Sequence, residues 1–262
     1  MTATTATTAP AGTVRPAPPG PSLVRLTEVE LRKLADTRAG RWLLVTIGLI
    51  AAAIATVQLF VLDEAAQTFT AFFTASLLPV GLLLPVLGIL SITAEWSQRT
   101  ALTTFALVPR RERVVVAKLA AVVLAALASV AVSLAVATVG TLAARATGGA
   151  GSWVFDWSQL GHAAVLQVTS ALMGAAFGLL LLNTPLAIVT YLLLPTVWSI
   201  LAMMIAALRG PARWLDTSVT MEPLFGTEVT AGQWGRLAVS LLVWMVAPLA
   251  AGLVRTLRSE VA

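Results

Sequence analysis

Apolar and polar positions alternate along this chain in long blocks, and the blocks set its architecture. Six apolar segments run at Trp42 to Leu62, Phe69 to Ile92, Val114 to Ala144, Leu160 to Leu182, Pro185 to Leu208 and Trp234 to Val254. The shortest has 21 residues. At 1.5 Å rise per residue each reaches ~30 Å, the thickness of a bilayer's hydrocarbon core. Inside them the only charged residues are Lys118, in the first turn or so of the third, and Arg236, near the start of the last. The pattern predicts an all-α integral membrane protein with six transmembrane helices.

Ahead of the first span, residues 1–21 are Thr, Ala, Pro and Gly with one charge, a composition expected to stay disordered. Residues 22–41 form a second unit. Thr27 and Glu30 have the spacing of a capping box, and Leu31, Leu34 and Ala35 can share a helical face. This reads as an amphipathic interfacial helix, or equally as the solvated start of the first span. Residues 42–262 are the six-span domain.

Charge sets the expected orientation. Thirteen Lys and Arg lie in the N-terminal region, the loop after the second span and the C-terminal tail, against four on the opposite side. By the positive-inside rule both termini and that central loop are cytoplasmic in the plasma membrane. The same placement explains the net charge of +5 without nucleic acid as a partner. At 58% hydrophobic, 11% charged and a mean hydropathy of +0.90, the chain lies far from soluble composition.

Catalytic chemistry has little to build on. There is no cysteine, one histidine (His162) and no G-K-[ST], so neither a two-histidine zinc site nor a phosphate-binding loop is present. The spans lack the buried acids of ion-coupled transporters. Thr56, Gln58, Gln167, Thr190 and Tyr191 are their deepest polar groups, suited to hydrogen bonds between helices. Small residues repeat every four positions from Ala121 to Ala137, and Gly174 and Gly178 form a GxxxG; such faces pack within a bundle or between subunits.

Two polar stretches carry the functional expectations. The first, Thr93 to Lys118, holds Glu95, Arg99, Arg110, Arg111 and Arg113, and its middle, Ser97 to Leu107, can form a short helix before Pro109. Glu95 and Arg99 stand one turn apart and suit an ion pair. The three arginines suit anionic head groups as well as a protein partner. The second, Arg209 to Gln233, mixes Trp214, Met221, Leu224 and Phe225 with three acids. It reads as broken half-helices dipping into the outer leaflet, or as an ordinary external loop.

Six spans, the lead-in LTEVELRKLADTRAGRW, and a loop of the form E-x-x-x-x-T followed by P-R-R-x-R and Ala-Lys together resemble the permease subunit of a type-2 ATP-binding-cassette (ABC) transporter. Glu95, Thr100, Pro109, Arg110, Arg113 and Lys118 carry the resemblance most specifically; Arg99 stands where that family commonly has glycine. The resemblance implies an export permease for a hydrophobic or amphipathic substrate such as a drug, lipid or peptide. It implies a homodimer or heterodimer with a second permease, embedded in membrane lipid. A separate ATPase subunit would bind ATP and Mg, this chain holding no cofactor and being no enzyme itself. Residues 97–107 would then be a cytoplasmic coupling helix, with Glu95, Arg99, Thr100, Thr103, Pro109, Arg110 and Arg113 at the ATPase contact. Glu30, Arg32 and Lys33 would form a second, N-terminal interface, and Trp214, Met221, Leu224 and Phe225 an outer gate. The competing expectation is a non-transporting membrane subunit, such as an immunity or sensor protein.

Overall fold

The computed structural model describes residues 21–98 and 110–258. Its elements are helices; among the described residues the one β feature is an isolated bridge between Thr68 and Ser152. Six helices are long and apolar enough to cross a membrane. In order, the helices are α1 (Leu23–Asp36), α2 (Arg38–Val61), α3 (Phe69–Ser97), α4 (Arg111–Ala146), α5 (Trp157–Leu181), α6 (Thr184–Met204), the short α7 (Arg209–Leu215) and α8 (Thr217–Met221), and then α9 (Ala231–Leu241) and α10 (Ala247–Arg258). A π-helical turn at Leu242–Val246 joins the last two into the sixth long helix.

The bundle is built around α3 and α5, 61% of whose most apolar stretches is buried, against 11% for α2. Glycine permits their close approach. A Cβ at Gly174 would overlap the backbone of Pro85, and one at Gly178 would press on Ile89. The GxxxG is therefore an internal seam between two helices of this chain. On α4, Ala121, Ser133 and Ala137 are likewise buried, and a Cβ at Gly140 would meet the ring of Phe72 at 2.8 Å. Pro79 and Pro85 sit inside α3 and are themselves buried.

Two expectations about the N-terminal region need correction. The helix begins earlier than the Thr27/Glu30 capping box, because Ser22 caps it by accepting from the Arg25 amide at 3.3 Å. Thr27 is then an interior residue donating to Leu23 O, and the Glu30 side chain is drawn elsewhere. Nor is residues 22–41 one helix. Thr37 is extended (φ −68°, ψ 143°) and its hydroxyl caps α2 through the Gly40 amide, so Arg38 to Arg41 belong to the first long helix. At this corner a Cβ on residue 40 would overlap the Leu34 carbonyl, which requires glycine.

Other boundaries move by a few residues. α3 continues through Ser97, which therefore closes a long helix instead of opening a separate short one. α6 stops at Met204 and not at Leu208, where the backbone has tightened into a 3-10 turn at Ala206–Leu208. Between α5 and α6 the chain reverses through Leu182 in the left-handed region (φ 50°), and Asn183 caps α6 by accepting from Leu186 N at 3.0 Å.

Candidate functional site

At one end of the bundle, four charged side chains from three helices meet. Glu30 and Lys33 lie one turn apart on α1, Glu95 is in the last turn of α3, and Lys118 is two turns into α4. Lys118 Nζ donates to Glu30 Oε2 at 2.7 Å and to Ser91 O at 3.1 Å, and lies 3.3 Å from Glu95 Oε1. Lys33 Nζ donates to Glu30 Oε1 at 2.7 Å and to Glu95 Oε1 at 2.8 Å. Two carboxylates and two ammoniums thus alternate around the cluster.

Burial gives this set its weight. The side chains of Glu30 and Lys118 are each 7% exposed and that of Glu95 12%, whereas Lys33 is 42% exposed. Charges taken from water are costly unless paired, so each buried member depends on its partner. Burial disfavours the charge on Lys33, but the hydrogen bonds it donates to Glu30 and Glu95 and their negative charge prevail and raise its pKa above the ordinary lysine value. The cluster ties α1 to the end of α3 and the start of α4, the two points where residues 99–109 leave and rejoin the described structure.

Further bonds gather the same end. Arg113 Nη2 donates to Pro21 O at 2.9 Å, and Arg111 Nη1 to Thr256 O at 3.4 Å. Thr184 shares its hydroxyl with Thr93 at 2.7 Å and Ser97 at 3.0 Å, and Arg255 Nη1 donates to Leu180 O at 2.5 Å. Through these contacts α1, α3, α4, the α5–α6 corner and α10 are joined at one level.

The expected contact residues divide accordingly. Glu95, Glu30 and Lys33 come together, although Glu30 is turned into the fold and is not displayed on its surface. Arg32 stays on the outer face of α1, paired with Glu28 at 2.6 Å. Arg110 is the exposed residue preceding α4 and makes no side-chain cap. Arg99, Thr100, Thr103 and Pro109, with most of the expected coupling helix, lie outside the described residues. Lys118 was prominent in the sequence motif but its partner role was missed, because a lysine near a span's start reads as a topology signal.

At the opposite end, residues 206–225 form a run of short helical pieces: a 3-10 turn, α7, α8 and a second 3-10 turn, Glu222–Phe225. Leu224 is 2% exposed, packed with Leu166 of α5 and Leu237 of α9; Met221 and Phe225 pack beside it. Trp214 is exposed. Sequence reasoning missed two anchors of this segment. Asp216 is buried, and its Oδ1 accepts from Ser199 Oγ at 2.8 Å, Ser218 N at 3.0 Å and Ser218 Oγ at 2.6 Å. Trp244, in the π turn, donates to Leu215 O at 2.6 Å. His162 joins the same end through Gly226 O at 3.0 Å and the ring of Trp234.

Comparison with models of known protein families matches none, and comparison with curated protein sequences finds no significant match.

Proposed function

We propose that this chain is the permease subunit of an ATP-driven exporter, working as a dimer in the plasma membrane with a separate ATPase on its cytoplasmic side. The observation that carries the reading is the Glu30–Lys33–Glu95–Lys118 cluster. It clamps the amphipathic lead-in helix to both ends of the central polar segment, so a push on that segment moves α1, α3 and α4 as one body. An ATPase docked there has a rigid handle on the central helix of the bundle.

In this reading the α1 end is cytoplasmic, a placement supported by the excess of basic residues on that side. Residues 99–107 seat in the ATPase, with Arg110 and Arg113 at the exit and Arg32 on the exposed face of α1. The segment around Leu224 and Phe225 closes the outer end until the bundle shifts. Hydrolysis, with ATP and Mg, belongs to the partner. The cargo is hydrophobic or amphipathic, since the spans offer it apolar surface and few charges.

The test is ATPase stimulation in lipid nanodiscs, using the ATPase that co-purifies with the chain. Arg99→Gln with Thr103→Ala should abolish stimulation while leaving helix content and thermal stability intact. If the ATPase binds but stimulation is unchanged, the central segment is not the coupling element. If no ATPase binds, a non-transporting membrane subunit becomes the better account.

A further inference from the structure

The short helix α7 carries a pair of charges that membrane topology does not account for. Of the chain's 17 Lys and Arg, Arg145, Arg209, Arg213 and Arg236 are the four at this end, away from the basic excess that would orient the chain, and two of the four share α7. Arg209 and Arg213 stand four positions apart, so their side chains are neighbours on one helical face and repel each other. Both are exposed. Among the described residues neither forms an ion pair: Asp216 is buried and turned to Ser199 and Ser218, and Glu222 and Glu228 do not reach them. An anion held between the two guanidiniums would relieve their repulsion.

The surroundings say where that anion comes from. α7 turns back along α6, because Asp216, just behind it, is bonded to Ser199, which lies more than a turn inside α6. The arginines therefore sit beside the end of a helix long and apolar enough to cross a membrane, the level of lipid head groups. Apolar side chains lie open around them: Met203 and Met204 are 77% and 76% exposed, and Ile205 and Trp214 are exposed as well. That surface suits acyl chains, and Trp beside Arg suits the membrane interface. A guanidinium fork matches two oxygens of a phosphate. A zwitterionic head would bring its ammonium up to two uncompensated cations, whereas a head with net negative charge would not.

We propose that the exposed face of α7 binds an anionic phospholipid, with the phosphate between Arg209 and Arg213 and the acyl chains against Met203, Met204 and Trp214. The lipid holds the short helical pieces at the membrane surface. This site is independent of the proposed transport, because lipid contact is read with no ATPase present.

The chain has no cysteine, so Gly210→Cys, exposed between the two arginines and with open space around it, takes a single fluorescent label. The labelled full chain is placed in phosphatidylcholine nanodiscs containing a trace of nitroxide-bearing phosphatidylglycerol or of phosphatidylcholine with the same nitroxide. The anionic lipid should quench roughly fivefold more strongly. Arg209→Gln with Arg213→Gln should remove the preference with unchanged circular dichroism; Arg145→Gln, at the same end but on α4, should keep it. Should the double variant fail to fold, Arg213→Gln alone must lower the preference. Equal quenching by the two lipids in wild type, quenching by neither, a preference that survives in the folded α7 variant, or one lost in Arg145→Gln overturns the proposal. Displacement of the anionic lipid by an equal concentration of inorganic phosphate overturns it too, since the pair would then serve a soluble phosphate.

Discussion

Glu30 of α1 and Lys118 of α4 stand 88 residues apart in sequence, yet their side chains meet at 2.7 Å with each only 7% exposed. A bond of this kind makes each partner a liability without the other. Truncating Lys118 leaves the carboxylates of Glu30 and Glu95 sharing Lys33, an excess negative charge held out of water at a cost of up to about 3–5 kcal/mol, whereas replacing both members of the Glu30–Lys118 pair by apolar groups is often close to neutral. Lys118→Met alone should therefore lower the melting temperature sharply in detergent. Glu30→Leu with Lys118→Met should recover most of the loss, since Lys33 and Glu95 still pair. Equal losses in the single and double variants would show that the pair is not coupled.

The α1–α2 corner rests on a residue with no side chain. Gly40→Ala would drive a methyl group into the Leu34 carbonyl, so the corner must open and α1 must shift from α3 and α4. Hydrogen exchange should rise across residues 23–36 and stay unchanged in α5. Protection of α1 equal to that of wild type would mean the corner has room that its geometry does not indicate.

Lys33 gives the cluster a pH signature. Its pKa is raised above the ordinary 10.5, because the hydrogen bonds it donates to the two glutamates, with their negative charge, outweigh burial. A raised pKa means that the stabilisation is present in full below the unfolded lysine's value and is lost as pH rises through the higher folded one. The melting-temperature difference between wild type and Lys33→Gln should stay level from neutral pH to about 10.4 and shrink only above it. A gap that closes nearer pH 8 would assign the effect to another group.

The six long helices were legible because apolar runs of 21 residues or more have few other readings. Their ends were less so. Hydropathy marks where lipid contact stops, but a helix continues while its backbone bonds are met, so α3 runs on through Glu95 and Ser97. Local pattern also misled at Glu30. Its spacing from Thr27 suggested a cap, and a lysine 88 positions away decided its role. That Arg209 to Gln233 breaks into short helical pieces agrees with one of its two expected readings, carried by its mixed composition. The anchors of these pieces were not legible, since Asp216 and Trp244 each depend on a partner outside their own segment.

Trp244 offers the sharpest test of how that segment is held. Its indole donates to Leu215 O at 2.6 Å from a π turn, a rare backbone form that often marks functional sites. Trp244→Phe keeps most of the ring and removes the donor, so it should cost about 1 kcal/mol, the usual net worth of one hydrogen bond. Asp216→Ala removes more, because the same carboxylate caps α8 and holds Ser199 of α6. Limited proteolysis should then cut first within residues 209–226, faster in Asp216→Ala than in Trp244→Phe, with the six long helices left intact. If both variants resist cleavage as wild type does, the packing of Leu224 between α5 and α9 is sufficient to hold the segment closed, and the two polar anchors set its geometry without securing it.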